Sequence, residues 1–204
     1  MRYLLFINSF IFLLACGSPY KKMQKVPGDP DCPKKFKPKF LSDQYKTAVD
    51  VVGRHLSGIL LFKTMPDSSV RIVFSNEVGF KFFDFGFSPD SGFTVHYILK
   101  QMDKKAVIKT LRKDFELILM IGTDDQHAYL LKDGSKYYHA FPQQEGVNYY
   151  ITDSVCSQLL GLQRSSSRKP VVEAIMQNYH NNIPDTIGIM HKNFDFTIGL
   201  KYLK

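Results

Sequence analysis

The sequence has no tryptophan, only three cysteines, and no apolar run long enough to cross a bilayer as a mature helix, which takes about 20 residues. The missing run excludes a helical integral membrane protein. The missing tryptophan leaves aromatic surface to 17 phenylalanines and 11 tyrosines. Chemistry is also missing. There is no nucleophile elbow, phosphate loop or dinucleotide fingerprint. The six histidines, His55, His96, His127, His139, His180 and His191, include no pair at metal-ligand spacing on one local element. Asp124-Asp125 and Asn76-Glu77 read as polar turns. We therefore expect neither an enzyme, nor a metal site, nor a cofactor.

What is present begins with an address. Arg2 precedes an apolar run over residues 3–15, too short to span and suited to a secretory signal. The run ends in Leu13-Leu14-Ala15-Cys16-Gly17. This resembles the lipobox of bacterial lipoproteins, in which the chain is cut before the cysteine and the cysteine is acylated. The resemblance implies a signal peptide over 1–15 and lipidation at Cys16. Two or more acyl chains make attachment stable where one is marginal. Gly17 stands where an aspartate would signal inner-membrane retention, so the resemblance implies the outer membrane.

Residues 17–40 hold five of the ten prolines and seven lysines against two aspartates. Proline at this density favours extended backbone. With Cys16 they form an expected tether over 16–40, either a solvated spacer or a basic segment drawn to an anionic membrane surface. Of the net charge of +8, this segment carries +5 and residues 41–204 only +2. The basic character belongs to the tether, and an exported address makes nucleic acid an unexpected partner. With Cys16 lipidated, Cys32 and Cys156 remain and can pair in an oxidising compartment.

Residues 41–204 form one expected domain in which strand patterns dominate. Candidate strands cover 45–52, 57–64, 70–75, 79–88, 128–132, 136–141, 147–152, 171–179, 186–190 and 194–203. Asp133-Gly134 is a strong hairpin signal. Residues 103–121 read as a helix capped by Asp103, with Val107, Leu111, Phe115 and Ile118 on one face and Lys104, Lys105, Lys109, Arg112 and Lys113 mostly on the other. A second short helix is expected over 154–162, followed by a loop over 164–169. About ten antiparallel strands cannot stay flat. The expected fold is therefore mainly β (α+β): a curled antiparallel sheet forming an unclosed barrel, with one or two helices as a lid.

Element order, size and the anchor resemble the periplasmic lipoprotein-carrier superfamily, LolA and its outer-membrane receptor LolB. That resemblance implies an apolar half-barrel that binds an acyl chain or another lipoprotein. The alternative is a non-catalytic scaffolding lipoprotein with a packed interior.

The segment FKFFDFGF puts five phenylalanines into residues 80–87. Phe83, Phe85 and Phe87 share one parity; Phe80 and Phe82 share the other. Either both strand faces are apolar, or a bulge shifts the register between Phe82 and Phe83. The rings belong to a central core strand, or some of them line an acyl-chain pocket with Phe62, Phe74 and Phe93 from nearby strands.

Overall fold

A computed structural model describes residues 18–124, 126–166 and 169–203. Cys16, the signal segment and Asp125 lie outside the described residues. The elements run β1 (Gln24–Val26), β2 (Ser42–Val51), β3 (Arg54–Thr64), β4 (Val70–Ser75), β5 (Lys81–Ser88), β6 (Gly92–Ile98), α1 (Lys105–Ile118), β7 (Tyr129–Asp133), β8 (Lys136–Pro142), β9 (Val147–Thr152), β10 (Leu159–Ser165), β11 (Pro170–His180), β12 (Ile183–His191) and β13 (Phe196–Tyr202). All thirteen strands join one sheet in the order β1-β7-β8-β9-β10-β11-β12-β13-β2-β3-β4-β5-β6. Every neighbouring pair is antiparallel. β1 and β6 remain as edges, so the curled sheet does not close. Among the described residues no helix is long and apolar enough to cross a membrane.

Tight turns hold much of this meander. β2 and β3 are joined through Val52 (φ 47°) and Gly53 (φ 72°), a positive pair that matches the twist of the flanking strands. Asn181 and Asn182 (φ 51° and 63°) do the same between β11 and β12. Along β2 and β13 the burial alternates residue by residue, with Tyr45, Thr47, Phe196, Ile198 and Leu200 turned to the core.

Several expectations are corrected. Residues 154–162 form no helix. Asp153 accepts hydrogen bonds from Ser157 Oγ (2.6 Å) and Gln158 N (2.9 Å), Cys156 takes φ 54°, and the chain turns into β10. Side-chain capture of the backbone outcompetes helix here. Arg164 and Ser165 end that strand rather than opening a loop. β6 and β10 were not expected as strands. The helix starts at Lys105, Lys104 is its N-cap, and Asp103 makes no cap.

The basic segment is no free spacer in residues 18–40. Tyr20 stacks on Tyr149 (centroids 4.3 Å apart) and its hydroxyl donates to Gln163 Oε1 (2.9 Å). β1 then pairs along β7. Tyr179 donates to the Phe36 carbonyl (3.0 Å), and Phe40 stacks on Phe62 at 4.1 Å. Scattered apolar residues among the lysines anchor the segment by burial. This also explains why β9 is buried on both faces: Tyr150 meets the main core, while Tyr149 and Ile151 join a second cluster with Tyr20 and Met23.

Candidate functional site

The FKFFDFGF strand resolves its two readings through a bulge. Phe74 pairs with Phe83 but Ser75 pairs with Lys81, so Phe82 is the extra residue. Both Phe82 and Phe83 then reach Phe74, at 4.9 and 5.7 Å. Phe83, Phe85 and Phe87 point into the main core. The opposite face is polar: Asp84 accepts from Arg71 Nε (2.9 Å), Arg71 Nη2 (2.7 Å) and Lys81 Nζ (3.0 Å). Burial pushes the Asp84 carboxyl up, but Arg71 and Lys81 outweigh it and hold it below the usual carboxylate range.

One helix covers this aromatic face. Phe115 of α1 lies 5.8 Å from Phe83, 6.3 Å from Phe62 and 6.4 Å from Phe87. Tyr150 of β9 donates to the Leu117 carbonyl (3.2 Å), a bond inside the buried layer. The helix is therefore fastened to both halves of the sheet. Its outward face carries the expected basic residues. Lys109 and Lys113 converge on Glu145 and hold its carboxyl down to about 2, and Arg112 pairs with Glu116 at 2.6 Å.

A charged group sits on the buried side of that helix. Asp114, fully buried, accepts from His191 Nε2 of β12 (2.8 Å) and faces Arg164 Nη2 of β10 (3.1 Å). The arginine contact is within ion-pair distance but out of line for a hydrogen bond. Asp114 Oδ1, Arg164 Nη1 and Asn148 Oδ1 have no hydrogen-bonding partner among the described residues. Desolvation offsets much of the attraction in a buried ion pair, so its net contribution to stability is small even though removing one partner leaves an uncompensated charge. We call this cluster the latch.

Of the eight proposed lining rings, Phe62, Phe74, Phe83, Phe85 and Phe87 are buried in one cluster, and Phe82 and Phe93 pack against it half-buried. Phe80 is 50% exposed at the β4–β5 turn and stands outside the group. Phe40, Tyr45 and Phe115 belong to the same cluster and were not among the expected rings. Asp114 was missed too, although a carboxylate between the apolar positions Leu111 and Phe115 was a signal.

Two open clefts lie beside the core. One of about 500 Å³ runs between α1 and residues 143–148, with Lys109, Arg112, Lys113, Glu116, Glu145 and Arg164 in its lining. The other, about 320 Å³, lies over Arg71, Gly86, Thr94 and His96. The charged walls of the first do not suit an acyl chain; the second mixes Met65, Pro66 and Phe87 with Asp67, Arg71 and His96. Cys32 and Cys156 form a disulfide, with Cα atoms 6.5 Å apart. His139, buried, places Nε2 3.7 Å from Cys32 Sγ.

No family model matches the sequence, and no curated protein matches it. Solved structures do resemble the fold. A LolA superfamily protein from Nitrosomonas europaea superposes with a TM-score of 0.51 at 10% identity, covering 85% of this chain and 89% of that one. A domain named for outer membrane lipoprotein sorting, from Vibrio parahaemolyticus, gives 0.48 at 4% identity, covering 86% and 90%. A DUF1329 family protein from Desulfovibrio piger gives 0.45 at 8% identity, with the same two coverages. At these identities the likeness is one of fold.

Proposed function

We propose that this is a lipid-anchored protein of the cell envelope, at the outer membrane, that binds an acyl chain or the lipid of another lipoprotein on the aromatic inner face of its half-barrel, without catalysis. The observation that carries the reading is the arrangement of that face. A continuous sheet of phenylalanine rings is covered by a single helix, and the helix is fastened partly by a buried ion pair. Displacing α1 would expose Phe62, Phe83 and Phe87, the rings that Phe115 now touches. The half-barrel form of a LolA superfamily structure supports the same reading. The lipobox-like Leu13 to Gly17 supplies the anchor, and lysines of residues 18–40 would lie near the membrane to which Cys16 is attached.

The test is a fluorescent fatty acid titrated into the purified protein, with native lipidomics on the same preparation. Phe83→Ala removes part of the surface and should weaken binding. Phe115→Ala removes part of the cover and should leave binding intact or stronger, at a cost in stability of about 3–5 kcal/mol if the void does not collapse. The anchor has its own test: Cys16→Ser should abolish palmitate labelling and leave unprocessed precursor. Unchanged labelling would remove the lipoprotein reading.

A second reading has its own observation. Phe115 already fills the inner face as a bound chain would, and Phe83 stacks on Phe85 at 4.6 Å. A scaffolding lipoprotein with a packed interior would look the same in this closed form. No probe binding at any concentration, with Phe83→Ala unfolding the domain, would select it.

A further inference from the structure

The disulfide has an unexplained neighbour. Cys32 Sγ, Cys156 Sγ and His139 Nε2 all lie within 4.8 Å of one another. His139 is only 2% exposed. It is brought there by β8, while Cys32 comes from the 3-10 turn Cys32–Phe36 and Cys156 from the turn before β10. Three separate segments therefore deliver two sulfurs and one imidazole to one point.

The imidazole is presented in the form a metal needs. Its Nδ1 lies 3.1 Å from the carbonyl of Pro30. A carbonyl only accepts, so Nδ1 carries the hydrogen and a neutral ring has its lone pair at Nε2. A backbone carbonyl fixing the far nitrogen in this way is a common device of metal-binding histidines. Nε2 faces Thr152 Oγ1 at 3.0 Å and the Cys32 sulfur at 3.7 Å. Thr152 has a second acceptor, the Asp153 carbonyl at 3.0 Å, and does not depend on the imidazole.

The distances also fit. With Zn–S of about 2.3 Å and Zn–N of about 2.05 Å, a tetrahedral ion sets its sulfur and nitrogen ligands about 3.6 Å apart and two sulfurs about 3.8 Å apart. One sulfur–nitrogen edge, Cys32 to His139 at 3.7 Å, is already in place. The two sulfurs must separate, and Cys156, already within 4.8 Å of the imidazole, must settle beside Nε2. The Cα separation of 6.5 Å lies at the long end of the disulfide range, which leaves them room.

We propose that, when the Cys32–Cys156 bond is reduced, the two thiolates and His139 Nε2 form a three-ligand site for Zn²⁺, with the fourth position open to water or an outside ligand. The chemistry balances. A dithiol reductant supplies two electrons and two protons and leaves as its own disulfide. Zn²⁺ then displaces the two thiol protons. Oxidation of the dithiol would close the bond and expel the ion, so the site is gated by redox state.

The test uses the full chain carrying Cys16→Ser, in detergent, so that Cys32 and Cys156 are the only thiols. After reduction with a phosphine, which does not compete for the ion, Co²⁺ is titrated as a spectroscopic substitute and then displaced by Zn²⁺. One ion per chain is expected, with a sulfur-to-cobalt charge-transfer band and tetrahedral visible bands, and no such spectrum before reduction. His139→Ala should weaken Zn²⁺ binding at least tenfold in a chelator competition, and His139→Gln should not restore it. Cys156→Ser should abolish the charge-transfer intensity of a two-thiolate site, which serves as a check should the histidine variants fail to fold. An octahedral spectrum in the reduced protein, or affinity unchanged by His139→Ala in a folded chain, would overturn the proposal.

Discussion

At the scale of single residues, the buried carboxylates carry the most information. Asp84 is 4% exposed, yet it is ionised because Arg71 grips it through two nitrogens and Lys81 adds a third contact. Its folded-state pKa is depressed below an unfolded value of about 3.9. The sign follows: the stabilisation is fully present above pH ~4 and is lost as pH falls through the lower folded-state value. We predict that urea midpoints measured between pH 6 and pH 2 fall on acidification, and that Asp84→Asn flattens the acid limb of that profile. An equal slope in both proteins would assign the acid sensitivity to other carboxylates.

At the scale of elements, backbone geometry at the turns decides which substitutions the sheet tolerates. Gly146, in the β8–β9 turn, has φ 86°, and an added Cβ would lie 2.0 Å from the Ser165 carbonyl oxygen of β10. Gly53, in the β2–β3 turn, has φ 72° with nothing within 4 Å of the same position. Gly53→Ala bears only the left-handed backbone cost of about 1–2 kcal/mol. Gly146→Ala bears that cost and must also push β10 off β9. We predict a clearly larger loss for Gly146→Ala, read as a shift in denaturation midpoint, and equal losses would refute the clash. The same reasoning explains the phenylalanine strand. A single extra residue, Phe82, lets neighbouring rings share a side while Asp84 and Gly86 keep the other face polar.

At the scale of the whole molecule, the disulfide ties the N-terminal segment to the sheet across 124 residues of sequence. Chain entropy alone assigns a loop of that length about 5 kcal/mol, and measured losses usually fall between about 2 and 5. We predict that Cys156→Ser lowers stability within that range and removes the mobility shift on reduction. Two thiols titrating in the denatured, unreduced protein would contradict the bond. The latch works at the same scale, because Asp114 joins the covering helix to β10 and β12 far along the chain. Arg164→Met would leave the buried Asp114 with His191 as its one remaining ionic partner. We expect it to destabilise the protein, by up to about 3–5 kcal/mol, and to raise the rate at which a fatty-acid probe enters; faster entry is the readout a purely structural role would not produce.

The sequence by itself determined the mainly β class, the one described α-helix and its two faces, and the need for an open curled sheet. These rest on local periodicity: Phe196, Ile198 and Leu200 alternate whatever lies beside them, and Leu111, Phe115 and Ile118 share a stripe in any helix. Only the tertiary structure decided the rest. Residues 154–162 became turn and strand because Asp153 captured the backbone and β9 offered an edge. Residues 18–40 folded because Tyr20, Phe36 and Phe40 found aromatic partners from Phe62 to Tyr179, distant in sequence. Asp114, Arg164 and His191 met across 77 residues of chain, and His139 met the two cysteines in the same way. Periodicity records which face a side chain takes; the partner on that face is set by the closure of loops, and that closure leaves no mark in the spacing of residues.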